Sequence, residues 1–438
     1  MSKRKRSEVG SLGDDQTYYE HELTKGTLPH TEAGVFLPRH SFAKETSTFI
    51  MDDDAFVNNA IHCRKLQSEL SQGINAIVSS EGGERSIQKQ QQNILWSLVQ
   101  YVSRDDTNVN EEIFASVTQL ANDLILSSVT RYELKTKNRK EIDWIDGWIE
   151  EAEYTKGNSH LESANWSVHQ LVYELLLQVL LSQSSRDSRV IVAYWRVDSL
   201  KKLLDLFGSP DSRERDYILS IIHVFYKSVV KFRRTIRKFI CIRIQSIVFD
   251  EEESTQGITE MLEFCCSIIR GFAVPLKKEH EDFLMRCLLP LHKLVNMESF
   301  YPPLLFCIMA FLEKNPCLAP RVLDYLLGCW PISNSSKEVL FLNHLEEILA
   351  AIPADILKDI ICKAVRRIGL CMASYHSLIS HRAFLMLENG QVWCLLLLFR
   401  ESTFPVLTHY AEQVASSHWN SNILQIASRW CHRLRTLN

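Results

Sequence analysis

The sequence predicts an all-α protein, a HEAT- or armadillo-like α-solenoid in which antiparallel helix pairs stack into a superhelix. Glycine and proline are scarce in the 438-residue chain, at 15 and 12 residues, which favours helix over sheet. Apolar residues recur at the helical spacing in many segments, and no segment sustains the alternation of a strand. Turn signals separate the helices so that helix pairs repeat at about 40 residues, the period of such solenoids.

The helical part is predicted to span residues 57–438 as a single solenoid domain. The apolar spacing is clear in "ILWSLVQYV" (94–102), "IFASVTQLANDLIL" (113–126) and "HQLVYELLLQVLL" (169–181). A charged and less regular stretch at 132–160 predicts a surface loop that contains a helical piece. Each helix pair is too small to bury its own apolar face, so neighbouring pairs must stack.

Breaks between short amphipathic helices follow one another through the second half of the chain at roughly 15 to 25 residues. They read "GSPDSRE" (208–214), "DEEESTQG" (250–257), "NMESFYPP" (296–303), "NPC" (315–317), "WPISNSSKE" (330–338) and "IPAD" (352–355). A superhelix of stacked pairs has a concave surface, and such surfaces usually bind other proteins.

The first 56 residues are polar and show no sustained period, which predicts a disordered segment. Its basic run, residues 3–6, is compatible with a nuclear-import signal and equally with a solvated tail. The start has no apolar region typical of a secretory signal, and no run of 18 apolar residues predicts a membrane span. We therefore expect a location in the cytosol, the nucleus or both, without membrane contact.

Catalytic and metal-binding motifs are missing from the sequence. The 12 cysteines include no C-x-x-C pair and mostly lie among leucine and isoleucine, which predicts reduced thiols that act as small hydrophobes. There is no phosphate-binding loop, no H-E-x-x-H and no G-x-S-x-G. His376 and His381 are five residues apart and so leave a common helix face. The sequence thus predicts a binding module rather than an enzyme, with no metal and no cofactor.

One segment combines strong positive charge with apolar residues, although the formal net charge of the chain is −4. This segment, "HVFYKSVVKFRRTIRKF" (223–239), contains six Lys and Arg residues. Interpreted as one helix, it has three stripes. The first is apolar (Phe225, Val229, Phe232, Ile236, Phe239), the second mixes aromatic and basic residues (His223, Tyr226, Val230, Arg233, Arg237), and the third is basic (Lys227, Lys231, Arg234, Lys238).

The mixed stripe is the candidate functional feature. His, Tyr and Arg together are typical of surfaces that recognise peptides or phosphate groups. The alternative is that these long basic side chains merely extend from a core helix into solvent, which is the favoured interpretation for the third stripe. A nucleic-acid groove is disfavoured because the chain is acidic and no basic stripe continues across other repeats.

The chain resembles the B-prime regulatory subunits of protein phosphatase 2A. The resemblance covers roughly residues 57–435 and is densest from 166 to 350. It is carried by "WSVHQLVYELLLQVLL" (166–181), "SRERDYILSIIHVFYKSVVKFRRTIRKFI" (212–240), "GITEMLEFCCSIIRGFAVPLKKEHEDFLMRCLLPLHKL" (257–294), "YPPLLFCIMAFLEKNP" (301–316), "WPISNSSKEVLFLNHLEEIL" (330–349) and "SSHWNSNI" (416–423).

The resemblance implies a HEAT-like solenoid without catalysis of its own. Such a subunit joins a scaffold subunit and a catalytic subunit and selects the substrates that are dephosphorylated. Substrates dock through acidic L-x-x-I-x-E motifs into a groove formed by two adjacent repeats. Contacts with the other two subunits are expected at turns between helices, here including "NPC" and "WPISNSSKE".

Carried over by position, the resemblance implies a motif-binding groove of eight residues: His223, Tyr226, Arg233, Glu263, Phe264, Ile268, Lys277 and His280. Tyr226, Phe264 and Ile268 are expected to wall an apolar pocket for the Leu or Ile of the motif. Arg233 and His223 are expected to pair with its carboxylate, while Lys277 and His280 meet flanking acidic or phosphorylated residues.

Two positions in the groove depart from the family. Residue 224 is Val where the family typically has Arg, and residue 264 is Phe where the family has a smaller aliphatic residue. These departures leave open a second hypothesis, a degenerate relative that binds the core phosphatase but not the motif. A third hypothesis, a cargo-binding solenoid adaptor without a phosphatase link, has no matching motif.

Overall fold

The computed structural model describes residues 166–184, 188–249 and 255–437, together with parts of 92–103 and 114–121. All of these residues belong to one compact unit, Pro38–Asn438. The predicted disordered segment with its basic run, the predicted boundary at residue 57 and the predicted loop at 132–160 lie outside the described residues. The acidic run at 250–253 also lies outside them.

The described residues are helical and contain no strand, so the prediction of an all-α protein is confirmed. The α-helices from residue 166 onward are α1 (Trp166–Ser184), α2 (Ser188–Tyr194), α3 (Val197–Asp205), α4 (Ser212–Ser228), α5 (Val230–Phe249), α6 (Ile258–Arg270), α7 (Lys278–Phe283), α8 (Tyr301–Lys314), α9 (Ala319–Gly328), α10 (Ser335–Ala351), α11 (Ala354–Leu357), α12 (Ile361–Met372), α13 (Ser377–Met386), α14 (Gly390–Leu398), α15 (Arg400–Ser417) and α16 (Ser421–Leu437).

These helices form two stacked layers, as expected for a solenoid of helix pairs. In the first layer each helix packs on the next, in the order α1, α4, α6, α8, α10, α13 and α16. In the second layer the order is α3, α5, the turns that follow α7, then α9, α12 and α15. Buried apolar side chains of both layers form one continuous core.

Hydrogen bonds between successive pairs show the repeat period directly. Arg215 donates to Glu260 over a sequence separation of 45 residues, and Lys314 donates to the Phe272 carbonyl over 42. Lys363 donates to Asp324 over 39. Residues about 40 apart are therefore stacked neighbours, in agreement with the period that the turn signals predict.

Several predicted breaks coincide with helix caps. The Asp211 side chain accepts a hydrogen bond from the backbone N–H of Arg213 and begins α4. Asn334 caps α10 by accepting from the Lys337 N–H at 3.0 Å. Asn389, which lies in no predicted break, caps α14 in the same way. Short polar side chains satisfy N–H groups that a helix start leaves without partners, which is why these segments stop and restart helices.

The helix after α6 is irregular. The six-residue α7 passes into a π-helical turn, Leu284–Leu288, and then into a 3-10 turn, Leu289–Lys293, that contains Pro290. Proline lacks the N–H that a regular α-helix would use at this point. The α7 segment and these two turns together take the place of one second-layer helix beside α5.

Candidate functional site

A groove of about 260 Å³ lies where α5, α6 and α7 meet. The α5 side contributes cations and apolar groups: Arg234, Arg237, Lys238, Ile240 and Cys241. The opposite side contributes Cys265, Ile268, Phe272, Glu279, His280 and Phe283. The groove therefore has an apolar floor and a basic edge, a combination that suits an extended peptide carrying both apolar and acidic residues.

The basic segment 223–239 is two helices, so its interpretation as one helix was wrong. Val229 is extended, at φ −118° and ψ 97°, and separates α4 from α5. Arg233 reaches back across this break and donates to the Tyr226 carbonyl at 2.8 Å and the Lys227 carbonyl at 3.2 Å. These carbonyls are among those that a helix C-terminus leaves unpaired, so Arg233 stabilises the end of α4.

Tyr226 lies at the centre of a cluster that joins the two repeats. The guanidinium of Arg233 lies 5.4 Å from the centre of its ring. Arg237, on α5, donates to the Tyr226 hydroxyl at 3.0 Å. The ring also meets Phe264 of α6 edge-on, with 5.5 Å between centroids. Both arginines therefore fix Tyr226, and with it the junction between α4 and α5.

Phe264 is fully buried, at 0% exposure, and it does not line this groove. Its ring lies against His223, with 4.9 Å between centroids, and against Tyr226. A large aromatic ring thus fills the space beneath these two side chains. Val224 is also in the core, at 4% exposure, so this position faces away from the groove.

His223 is expected to be neutral near pH 7, because burial lowers its pKa to about 4. It can therefore offer a hydrogen bond to a carboxylate but not the charge that its sequence position suggests. The pKa of His280 is also lowered, first by burial and further by the charges of Arg237 and Lys277, although Glu279 opposes this. The positive charge of the site thus comes from its arginines and lysines.

His280 lies in the groove with its ring stacked on Phe272, at 3.8 Å between centroids and 5° between planes. Its Nε2 is 3.6 Å from the Glu279 carboxylate. Among the described residues nothing hydrogen-bonds to its buried Nδ1. The groove wall therefore contains an imidazole with one buried nitrogen that has no partner among the described residues.

The eight predicted residues fall into three groups in the structure. His223, Tyr226, Arg233 and Phe264 contact one another at the α4–α5–α6 junction. Ile268 and His280 line the groove itself. Glu263 and Lys277 are exposed at its margin, on α6 and just before α7.

Arg237 and Glu279 belong to the site but are absent from the predicted set. Arg237 lies 3.8 Å from the Glu279 carboxylate while it donates to Tyr226. The signal for Arg237 is present in the sequence, because it continues the mixed stripe four residues after Arg233. Glu279 has no such signal, since its proximity to Arg237 depends on how two repeats stack.

Metal binding and membrane crossing find no support in the described part of the chain. No cluster of three or more His, Cys, Asp or Glu residues there is placed to hold a metal ion. Across the same residues, no helix combines the length and the apolar character that a membrane crossing requires.

Comparison with known proteins identifies the family. The sequence profile of the "Protein phosphatase 2A regulatory B subunit (B56 family)" matches residues 75–438. The B' theta isoform of the 57 kDa regulatory subunit of serine/threonine protein phosphatase 2A from Arabidopsis thaliana is 34% identical over 340 residues. That match covers 78% of this chain and 66% of the relative. The regulatory subunit pptr-1 of Caenorhabditis elegans is 37% identical over 264 residues, which cover 60% of this chain and 48% of the relative.

Among solved structures, an engineered protein from a structural genomics consortium aligns with 85% of this chain and 98% of its own at 13% identity. Its TM-score of 0.25 is too low to bear on the fold.

The chain spans about two thirds of the length of the first curated relatives it matches. These relatives are named as regulatory subunits, which supports the prediction that this chain is not an enzyme. The profile match over most of the sequence shows that the chain belongs to the B56 family of protein phosphatase 2A regulatory B subunits.

Proposed function

We propose that this protein is a regulatory and targeting subunit of a protein phosphatase 2A holoenzyme. It binds the scaffold and catalytic subunits and recruits substrates whose acidic L-x-x-I-x-E motifs dock in the groove between α5, α6 and α7. Family membership supports the first half of this proposal. The observation that carries the second half is the groove, which places Arg237, Ile268 and His280 around one cavity. A location in the cytosol, the nucleus or both remains part of the proposal.

The chemistry of the groove suits the proposed ligand. Ile240, Ile268 and Phe272 offer apolar surface for the Leu and Ile of the motif. Arg237 is held 3.8 Å from Glu279, a separation longer than a strong hydrogen bond, so a motif carboxylate can compete for it. Arg233 uses two of its nitrogens on backbone carbonyls and keeps further N–H groups for a ligand.

Arg237→Ala, which removes a cation that lines the groove, is expected to weaken peptide binding by roughly ten- to hundredfold. A micromolar peptide binds with about −8 kcal/mol, and one lost charge-assisted contact costs about 1.5 to 3 kcal/mol. Fluorescence anisotropy with a labelled L-x-x-I-x-E peptide measures the change, and higher salt is expected to weaken binding further. Arg233→Ala is the second test variant, although Arg233 does not line the groove and its loss also removes the hydrogen bonds that end α4.

Lys231→Ala is the matched control, since it removes the same charge from an exposed position of α5 that does not line the groove. It is expected to bind within about twofold of wild type, as a screened surface charge contributes little. Equal affinities for wild type and Arg237→Ala would show that the basic edge is only solvated helix surface. The docking proposal would then be wrong.

A second candidate function, a core-phosphatase binder that lacks motif docking, is favoured by one specific observation. The buried ring of Phe264 fills the space beneath His223 and Tyr226. The same anisotropy experiment separates the two functions. Saturable binding to the wild-type protein supports docking, whereas assembly with the phosphatase without any peptide binding supports the second candidate.

Assembly is expected to give a stoichiometric complex of three chains, with no phosphatase activity in this chain alone. The turns between helices offer exposed apolar groups for such contacts, and Ile332 in "WPISNSSKE" is 74% exposed. Size-exclusion chromatography with light scattering on the purified chain, scaffold and catalytic subunit measures the stoichiometry. Failure to assemble at micromolar concentrations would contradict the holoenzyme proposal without bearing on the groove.

A further inference from the structure

A cluster of five thiols lies where α5, α6, α8 and the π turn after α7 come together. Its members are Cys241, Cys265, Cys266, Cys287 and Cys307, and all are free cysteines. Two pairs are neighbours across the repeat interface, where α5 packs on the π turn and α6 packs on α8: Cys241 with Cys287, and Cys266 with Cys307. Each pair joins a half-buried thiol to a buried one of the following repeat.

The pair Cys241 and Cys287 differs from the other pair in its access to solvent. Cys241 lines the groove between α5, α6 and α7, so small molecules that enter the groove can reach its sulfur. Cys287 lies behind it, at 3% exposure. In the second pair neither cysteine lines the groove, and Cys307 donates to the Leu262 carbonyl at 3.1 Å.

The surroundings of Cys241 favour its thiolate, which is the nucleophilic form. The hydrogen bond from Cys287 lowers the pKa of Cys241, and the positive charge of Arg237 lowers it further against the opposing effect of burial. The same hydrogen bond, together with burial, raises the pKa of Cys287. The proton of the pair therefore stays on Cys287, while Cys241 is the thiol that attacks.

We propose that Cys241 is a peroxide-sensitive thiol in the groove wall and that Cys287 resolves it into a disulfide between adjacent repeats. The Cys241 thiolate attacks one oxygen of hydrogen peroxide, an S–O bond forms, the O–O bond breaks, and the leaving hydroxide takes a proton to become water. The Cys287 sulfur then displaces the sulfenic oxygen, which leaves as a second water. Both cysteines together lose two electrons, and the peroxide is reduced.

This disulfide would tie α5 to the turn that follows α7. It would cross the seam between two stacked pairs, next to Arg237 and His280 in the groove wall. The inference rests on the thiol pair and its access, and it does not depend on what the groove binds.

The test uses the reduced full-length chain treated with a small excess of hydrogen peroxide, blocked with N-ethylmaleimide and digested with trypsin without reductant. Cleavage after Lys and Arg releases residues 239–243 ("FICIR") and 287–293 ("CLLPLHK"), each with one cysteine. The expected product is these two peptides joined, about 2 Da lighter than their reduced sum. The peptides that contain Cys266 and Cys307 are expected to remain alkylated.

Cys241→Ser is expected to abolish the crosslink, and Cys317→Ser, which removes an exposed cysteine, is expected to leave it unchanged. Cys287→Ser is expected to leave a sulfenic acid on Cys241 that dimedone traps. Should that variant fail to fold, the wild-type peptide map decides alone. The inference would be overturned if the joined peptides were absent in wild type. It would also be overturned if peroxide blocked the alkylation of Cys241 no faster than it blocked the alkylation of Cys317.

Discussion

Replacing Gly257 by alanine is expected to destabilise the protein by at least about 3 kcal/mol, a large effect for the addition of one methyl group. Gly257 has φ +80°, a region that costs L-residues free energy. A Cβ at this position would also overlap the carbonyl oxygen of Phe207 and approach its carbonyl carbon to 2.8 Å. Because the obstacle is backbone, a side-chain rotation cannot relieve it.

The position of Gly257 gives this change a functional consequence. Gly257 is the N-cap of α6, the helix that carries Glu263, Phe264 and Ile268. A shift at its start therefore moves one wall of the groove. Gly257→Ala is expected to lower the thermal midpoint by at least about 3 °C and to weaken peptide binding at temperatures where the chain is still folded.

Gly328→Ala is the matched control because a Cβ there meets nothing within 4 Å. Gly328 ends α9 without a positive φ, so alanine is expected to be neutral or to stabilise by up to about 1 kcal/mol. Differential scanning calorimetry on the three proteins gives the comparison. A Gly257→Ala midpoint within about 1 or 2 °C of wild type would show that Phe207 and Gly257 are not packed as described.

The fold was predictable because its signals are local. Asp211 and Asn334 each lie in a predicted break and each caps the next helix. Such breaks recur about every half repeat, and a helix pair with one apolar face has few ways to bury it except by stacking. Helical period and turn chemistry therefore suffice for the architecture.

The site was predictable only in part, because its geometry depends on contacts between repeats. The break at Val229 has no glycine or proline to announce it, and Ser228 is the only short polar residue beside it. It is stabilised by Arg233, which reaches the carbonyls of the preceding helix. The burial of Phe264 and Val224 likewise follows from stacking of α4 on α6, which spacing within one helix does not reveal.

The cysteines illustrate how the repeat period could extend sequence reasoning. Interpreted one by one, they resemble small core hydrophobes, and Cys265 and Cys307 are fully buried. However, the thiol pairs join residues about one repeat apart, as do the hydrogen bonds from Lys314 and Lys337 to backbone carbonyls of the preceding repeat. Once the period is known, residues separated by it become candidates for contact.

Stability is expected to fall steeply as the pH drops from 6.5 towards 4, owing to a buried pair of histidines. His292 and His344 are 1% and 0% exposed, and His292 Nε2 lies 3.2 Å from His344 Nδ1. His292 Nδ1 donates to the Leu289 carbonyl at 2.9 Å, so His292 Nε2 must accept the proton of His344 Nδ1. This arrangement requires His292 to be neutral, and a proton on the buried His344 Nε2 would find no partner among the described residues.

Burial lowers the pKa of His292 to about 4, and the charge of the buried Lys337 contributes to this shift. Burial and the neighbouring His292 lower the pKa of His344 well below its usual value. Between pH 6.5 and about 4 the unfolded chain therefore binds more protons than the folded one. The stabilisation is complete above pH 6.5 and is lost as the pH falls, by about 2 kcal/mol per histidine at pH 5.

His344→Gln isolates this effect because glutamine keeps an N–H for His292 but cannot be protonated. We expect the variant to lose less stability than wild type between pH 7 and pH 5, by about 2 kcal/mol. Urea unfolding followed by tryptophan fluorescence at a series of pH values measures the difference. His381→Gln changes an exposed histidine of α13 and should reproduce the wild-type pH dependence. Parallel curves for wild type and His344→Gln would mean that the pair does not stay neutral in the folded protein. Stability depends on pH only where the folded and unfolded chains bind different numbers of protons.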